Sequence, residues 1–191
     1  MKKSIILFCL VLLLVPGCGK EPTIAPTGSE YERRASTFDE LVEVSDLIIK
    51  VKVLPGKKNV PDTVEVCGHT ITKLKVLETF KGDIAPGEIV TITEFYYRDE
   101  DYIWIDANYL PAKEKQEYIF FLTEYHADSY WSGMYYPTDM ERGKYPLKRL
   151  ILDNLASMRS LSNEDLELWT EPADIYRRWY KQVIEKYYPN H

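Results

Sequence analysis

The chain has 191 residues, enough for one domain with a sizeable core, of which 45% are hydrophobic and 28% are charged. Its net charge of -6 argues against nucleic acid as a partner, because nucleic-acid-binding proteins need a basic surface. The sequence also lacks a Gly-rich phosphate loop, a His-Glu-x-x-His motif and a Gly-x-Ser-x-Gly motif. It therefore identifies no cofactor, no metal site and no catalytic residue.

The first residues have the order of an export signal. Lys2 and Lys3 precede the apolar residues 5–15, and Pro16 and Gly17 end that run just before Cys18. The run is too short to cross a bilayer, which takes about 20 residues. It fits the apolar region of a cleavable signal peptide instead. We expect residues 1–17 to be that signal peptide.

The motif Val15-Pro16-Gly17-Cys18 resembles the lipobox of bacterial lipoproteins. In that family the cysteine receives a diacylglyceryl group, and a peptidase then cuts before it. The resemblance implies that Cys18 is the acylated N-terminus of a lipoprotein, held extracytoplasmically on the cell membrane, or on the outer membrane if the source has one. Two acyl chains give stable anchoring, whereas one chain binds only marginally. The alternative is an ordinary signal peptide with an incidental cysteine.

The segment that follows is polar. Residues 18–34 contain several Pro and Gly residues, which predicts a flexible, lipidated tether. A short helix is predicted next, with Ser36 as its cap and Asp39 in its first turn.

Alternating apolar and polar residues then predict a series of strands. Leu47, Ile49, Val51 and Val53 share one side of the first strand, and Thr72, Leu74 and Val76 share one side of the second. A continuous apolar run in residues 117–125 is typical of a strand that is buried on both faces. The predicted strands are residues 47–53, 64–80, 89–95, 102–109 and 117–125, with a short closing strand at 142–145.

The C-terminal part has helical spacing. Ser162 with Asp165 forms a helix start signal, and Pro172 suits the first turn of a last helix. One helix is predicted from the shared face of Leu147, Ile151, Leu155 and Met158. The last helix is predicted to turn inward Ile175, Trp179 and Val183.

Strands followed by helices predict a mainly β fold, an OB-like five- to six-stranded barrel with a short N-terminal helix and C-terminal helices. The barrel is assigned to residues 35–147, and the helical extension packed on it to residues 148–191. The order "LVEVSDLIIKVKV", "ITKLKVLETFKG", "PGEIVTI", "LPAKEKQEYIFFLTE" and "RGKYPL" resembles the OB-fold domains related to the tissue inhibitors of metalloproteinases. That resemblance covers about residues 38–147.

The resemblance implies protease inhibition as one hypothesis. The animal inhibitors chelate the protease zinc with a free N-terminal cysteine at the start of the domain. Here the N-terminal cysteine would be Cys18, which would be acylated and separated from the barrel by the tether. The residue that carries the inhibitory function is therefore not matched in this chain.

Three groups of side chains have the types that catalysis or metal binding uses. Cys67 and His69 would face the same side of a strand, as a nucleophile and base or as two metal ligands. The interpretation we favour is a small buried cysteine beside a polar histidine. With Cys9 in the signal and Cys18 acylated, Cys67 also has no disulfide partner in the mature chain.

Two acidic groups are interpreted as surface loops. His126, Asp128 and Glu124 have metal-ligating side chains but follow the buried strand, where a solvated loop is expected. Residues 99–101 are all acidic and would suit calcium, but they lack the spacing of a calcium loop.

Aromatic residues are unusually dense. Nine of the fifteen tyrosines lie in residues 96–136. Amphipathic aromatic side chains suit ligand interfaces, although they also fill barrel cores. The candidate ligand-binding residues are Trp104, Tyr130, Trp131, Tyr135 and Tyr136.

The first functional hypothesis is a membrane-anchored, non-enzymatic module that binds a protein, peptide or glycan of the cell envelope. The second is an envelope hydrolase that uses Cys67 and His69 or carboxylates. The third is the protease inhibitor. A fold alone does not decide among them.

Overall fold

The computed structural model describes residues 22–27, 35–61, 68–106, 109–169 and 174–189. Within these residues the chain is mainly β, with C-terminal helices. In this part of the chain no helix is both long and apolar enough to cross a membrane. Cys18, Cys67 and Pro172, which the sequence singled out, lie outside the described residues.

The strands are β1 (Thr23–Pro26), β2 (Leu47–Val53), β3 (Lys58–Val60), β4 (His69–Lys81), β5 (Ile89–Glu94), β6 (Tyr96–Arg98), β7 (Tyr102–Ile105), β8 (Glu117–Glu124), β9 (Tyr135–Pro137) and β10 (Lys144–Pro146). The helices are α1 (Phe38–Val44), α2 (Arg149–Asp153), α3 (Asn163–Leu166) and α4 (Asp174–Tyr187), and a 3-10 helix covers Leu155–Ser160.

Five strands close into a barrel in the order β8-β2-β4-β5-β9. The closure is made by β9, which pairs in parallel with β5 at Tyr135 and antiparallel with β8. The predicted OB-like barrel is therefore confirmed. The strand predicted to close it, at 142–145, is β10, which pairs with β8 without completing the barrel. Residues 135–137 of β9 complete it instead. A strand of three residues is too short to show the alternation of apolar and polar residues that predicts a strand.

The barrel interior is filled from alternate positions of its strands, as the period-two pattern predicts. Leu47, Ile49, Val51 and Val53 all face inward and are at most 2% exposed. Two register shifts between β2 and β4 bend the pair, which helps a small sheet to curve on itself. The other buried interior residues are Leu74, Val76, Val90, Ile92, Ala112, Tyr118, Phe120 and Leu122.

The outer face of β2 and β8 is covered by helices. Ile48, Ile119 and Phe121 point away from the barrel interior and pack into a second cluster with α1, the C-terminal helices and β10. The predicted inner face of α4 is confirmed for Trp179 and Val183, which are buried in this cluster. Its other α4 members are Tyr176, Tyr180 and Ile184, with Ile175 partly buried.

Three local predictions were wrong. The cap of α1 is Thr37, whose side chain accepts from the Glu40 amide at 3.1 Å, while Ser36 lies one residue earlier. The helix predicted across residues 147–158 breaks at Asn154, where the backbone leaves helical geometry between α2 and the 3-10 helix. The strand predicted over 102–109 ends at Ile105.

The structure also corrects the tether. Thr23–Pro26, within the segment predicted to be flexible, forms β1 and pairs in parallel with β7 in a three-stranded sheet of order β1-β7-β6. Ile24 packs on a small cluster that contains Tyr96 and Tyr109. The polar composition of residues 18–34 gave no indication of this strand, because the strand that stabilises it, β7, lies about 80 residues away in the chain.

Candidate functional site

Four of the five predicted ligand residues lie between β8 and the end of β9. Tyr130 and Trp131 occupy the connecting loop, and Tyr135 and Tyr136 begin β9. The loop folds through consecutive turns, since the amides of Ser129, Ser132 and Met134 donate to carbonyls three residues earlier. These bonds give the loop a defined fold without regular secondary structure, and the contact of Trp131 with His69 of β4 places it against the barrel.

Six rings from four parts of the chain meet at this loop, and we call them the aromatic patch. Trp131 lies at its centre, with its ring centroid 4.9 Å from Tyr130, 5.6 Å from His69 and 6.4 Å from Tyr125. Tyr136 lies 4.6 Å from Tyr125 and 6.1 Å from Phe95. The patch thus consists of His69, Phe95, Tyr125, Tyr130, Trp131 and Tyr136.

The sheet topology explains why residues so distant in sequence meet. His69 begins β4, Phe95 follows β5, and Tyr125 follows β8. The strand β9 lies between β5 and β8, so Tyr136 reaches the rings that follow both. The hydroxyls of Thr93 and Tyr125 are hydrogen-bonded at 2.7 Å, which fixes the orientation of the Tyr125 ring.

The rings of the patch differ in exposure. Tyr130 is 86% exposed, the most of any large hydrophobic residue among those described, and stands edge-on to Trp131. The other five are partly buried. Most of the Tyr130 ring is therefore in contact with solvent, and only its contact with Trp131 joins it to the rest of the patch.

Two predicted residues are not part of the patch. Tyr135 alternates with Tyr136 on β9 and packs against the barrel interior instead. Burial, with the charges of Glu124 and Asp46, raises its pKa. Trp104 lies on β7 in the three-stranded sheet, where its ring contacts Tyr102 at 5.1 Å. The density of aromatic residues in the sequence grouped these two with the others. In the structure, strand alternation turns Tyr135 to the barrel interior, and Trp104 belongs to the second sheet.

A groove of about 490 Å³ borders the patch. One wall is β3 with Pro61, and the other is formed by Tyr130, Trp131 and Met134. The amide of Asn59 in this wall is already used, because it donates to the Arg98 carbonyl and accepts from Thr70. Val60, Pro61, Ile71 and Met134 make the groove mainly apolar, while Lys58 adds one charged side chain to its lining.

A second feature, which no sequence pattern indicated, is a buried network of ion pairs at one end of the barrel. Glu94 is fully buried, and its two oxygens accept from the Lys57 ammonium at 2.6 Å, Thr72 at 2.5 Å, Tyr109 at 2.7 Å and the Ala112 amide at 2.8 Å. Burial alone would raise the pKa of Glu94, but the charge and hydrogen bond of Lys57 lower it overall.

Glu167 forms the other half of this network. Its carboxylate pairs with Lys148 at 2.8 Å and Lys144 at 3.6 Å and accepts from the Tyr118 hydroxyl at 2.9 Å. Burial opposes its ionisation, yet these cations hold its pKa below the ordinary glutamate value. Burial lowers the pKa of Lys144, which also donates to the Leu110 carbonyl.

A cavity of about 740 Å³ lies beside the network, lined in part by Ile24, Lys57, Ile103 and Glu167. Both oxygens of Glu94 are occupied by protein donors, and both glutamates are held ionised. A general acid needs a proton near neutral pH, so this environment suits a structural ion-pair network better than proton transfer.

The remaining candidate groups are placed as follows. The His69 ring contacts Phe95 and Trp131, and the position of Cys67 lies outside the described residues. Asp99 accepts from the amides of Asp101 and Tyr102 and from the Trp104 indole, so its oxygens organise a turn.

The side chains of His126, Asp128 and Glu124 lie on the surface of the loop and strand end after the barrel core. Across the described ranges, no group of three or more His, Cys, Asp or Glu side chains is placed to hold a metal ion.

No family model matches the chain, and the curated proteins include no match to it. The class is therefore defined by structure alone. It is a small, closed OB-like β-barrel covered by C-terminal helices, with a partly exposed aromatic patch beside an apolar groove.

Proposed function

We propose that this protein is a lipid-anchored, non-enzymatic binding module of the cell envelope, and that its aromatic patch binds a protein, peptide or glycan. The observation that carries the proposal is the ring cluster around Trp131, with Tyr130 86% exposed at its edge. Tyrosine and tryptophan provide large, rigid contact areas at interfaces, with hydroxyl and indole groups for specificity.

The groove beside the patch favours a peptide or protein over a glycan. Its lining is mainly apolar, and the amide of Asn59 is already hydrogen-bonded within the protein. A sugar needs several hydrogen-bonding groups in addition to a stacking ring, whereas an apolar side chain needs only a dry groove. An apolar or aromatic side chain of the partner would therefore lie between β3 and Trp131.

The ligand test uses the mature protein on beads with solubilised envelope from the source cells. We expect a retained component to be lost when Tyr130 and Trp131 are both changed to serine. The double change of Leu150 and Trp169 to serine, which alters two exposed hydrophobic residues outside the patch, is the matched control and should retain it. Parallel incubations with protease-treated envelope and with purified cell-wall glycan distinguish the ligand classes. Equal retention by wild type and the double variant would refute the role of the patch.

The anchor has a separate test. Cys18→Ser should abolish metabolic labelling by a fatty-acid analogue and either release the protein from membranes or leave uncut precursor. Labelling that persists in this variant would show that Cys18 is not the acylated residue.

The hydrolase alternative has no comparable support. Two of the described buried carboxylates, Glu94 and Glu167, have lowered pKa values and accept hydrogen bonds from several donors. A third, Asp139, has its pKa raised by burial, but its carboxylate pairs with Arg142 at 3.0 Å beneath the C-terminal helices. Protease inhibition rests on the family resemblance alone.

A further inference from the structure

We propose that the three-stranded sheet β1-β7-β6 faces the membrane, with Tyr102 and Trp104 in contact with the headgroup zone of a zwitterionic bilayer surface of no net charge. This orientation rests on the proposed function, because it requires the acylated Cys18. It assigns a second surface to the aromatic residues that the ligand patch leaves out.

The first step is the length of chain between the anchor and the barrel. Five residue steps separate Cys18 from Thr23, the first residue of β1. A chain spans at most about 3.6 Å per residue, so Thr23 lies within about 18 Å of the lipidated cysteine. The acyl chains hold Cys18 at the bilayer surface. The start of β1 is therefore close to that surface.

The second step is that β1 is held to β7 and that its sheet is joined to the barrel, because the Thr70 hydroxyl of β4 donates to the Tyr96 carbonyl of β6 at 2.9 Å. The Thr23 amide donates to the Asp101 carbonyl at 2.8 Å, and the Thr27 amide donates to the Ile105 carbonyl at 3.0 Å. Ile24 also packs against the cluster around Tyr96. The anchor's short reach therefore restricts the whole barrel, and this sheet is the part nearest the lipid.

The third step is the chemistry of that surface. Thr23 is in register with Tyr102, so Tyr102 lies on the strand next to the first residue of β1. Tyr102 is 41% exposed and contacts the partly exposed Trp104 two residues along the same side of β7. Tyrosine and tryptophan concentrate at membrane interfaces, where one part of the ring is apolar and another is hydrated.

The charge of the neighbouring turn selects the kind of membrane. Asp99, Glu100 and Asp101 are exposed beside Tyr102. The hydrogen bond from the Trp104 indole, with those from backbone amides, lowers the pKa of Asp99, so it stays charged. Anionic headgroups would repel this turn, and salt would screen the repulsion. A zwitterionic surface lets the rings approach.

The test places a fluorophore at two exposed positions of the acylated protein in vesicles. In a Cys67→Ser background, the Glu100→Cys and Ser157→Cys variants each offer one free thiol, because Cys18 is blocked by lipid. Ser157 is exposed on the 3-10 helix, which packs against α2 and α4, and serves as the matched control. In phosphatidylcholine vesicles we expect a blue-shifted emission and several-fold stronger quenching by headgroup-labelled lipid at position 100 than at position 157.

Further variants connect that signal to the rings and the charges. Changing Tyr102 and Trp104 to serine should reduce the quenching at position 100, whereas Tyr130→Ser should not. Added phosphatidylglycerol should weaken it at low salt and high salt should restore it.

The possible failures are distinguishable. Acylated, vesicle-bound protein with equal, solvent-like signals at both positions overturns the orientation and leaves the anchor standing. Protein that is neither acylated nor vesicle-bound overturns both. Loss of envelope binding by the Tyr130 and Trp131 variant is measured separately and concerns the ligand patch alone.

Discussion

Glu94 shows how a single buried carboxylate can hold several strands of a small barrel together. It ends β5, yet it accepts hydrogen bonds from β4, from Tyr109 and from the backbone at Ala112. Lys57 supplies the opposite charge from the loop before β3. With both charges desolvated, loss of either partner leaves the other without compensation in the barrel.

We expect Glu94→Gln to lower the free energy of unfolding by about 3–5 kcal/mol, because the buried Lys57 ammonium then lacks its counter-charge. Glu164→Gln makes the same change in charge at an exposed position and should alter stability little. Urea unfolding monitored by circular dichroism measures both variants. A loss below about 1 kcal/mol in Glu94→Gln would show that the pair contributes no net stability.

The same residue predicts a dependence on pH. The folded-state pKa of Glu94 and of Glu167 is lowered, so their ionisation stabilises the fold above the ordinary glutamate pKa. That contribution is lost as the pH falls through the lowered folded-state values. The unfolding free energy of the wild type should therefore decrease at acidic pH, and less steeply in Glu94→Gln than in Glu164→Gln. Parallel acid profiles in the two variants would contradict this assignment.

At the scale of elements, β1 is the segment whose stability depends most on a single partner. It pairs only with β7 among the described strands, and its partly buried Ile24 packs beside Tyr96 and Ile105. A peripheral parallel strand of four residues gains little from its own hydrogen bonds, so the apolar contact should decide whether it stays docked.

Ile24→Ala should weaken the docking of β1 by roughly 1 kcal/mol through lost apolar burial. Hydrogen exchange of the Thr27 amide, which donates to Ile105, should accelerate, while the barrel amides keep their protection. Thr23→Ala changes an exposed side chain of the same strand and should leave the exchange unchanged. Unaltered exchange in Ile24→Ala would mean that hydrogen bonds, from the backbone and from the Thr27 hydroxyl to Asp106, hold β1 without the apolar contact.

For the whole molecule, the barrel and the C-terminal helices share one core layer. Ile48 and Phe121 on the outer face of the barrel pack in the same cluster as Trp179 and Ile184 of α4. Arg142 strengthens the junction, since it stacks 4.4 Å above Trp179 and donates to the Ala35 carbonyl. The extension is therefore expected to unfold together with the barrel.

Ile184→Ala should lower stability by about 2–5 kcal/mol, the usual range for truncating a fully buried isoleucine. Far-ultraviolet circular dichroism and tryptophan fluorescence should shift together in a single transition, because both layers lose the shared cluster. Gln182→Ala on the exposed side of α4 is the control. Two separate transitions in Ile184→Ala would show that the helices and the barrel are independent units.

The sequence by itself determined four of the five barrel strands, namely β2, β4, β5 and β8. In β2 and β4, for example, Leu47 to Val53 and Thr72 to Val76 alternate with the period that a half-buried sheet imposes. It also determined the start of α3, where Ser162 and Asp165 form the expected capping box, and the buried side of α4. Each of these patterns is local, so the side chains within a few neighbouring residues are enough to predict the strand, the cap or the buried helix face.

Only the tertiary structure decided the rest. The short β1 and β9 are stabilised by strands distant in sequence, and the Glu94 network joins residues from Lys57 to Glu167. Aromatic density marked a region that suits ligands, but long-range pairing divided its rings between the patch at Trp131, the barrel interior at Tyr135 and the sheet at Trp104. The face that a ring occupies depends on strand register and on contacts between distant residues. Amino-acid composition specifies neither of these.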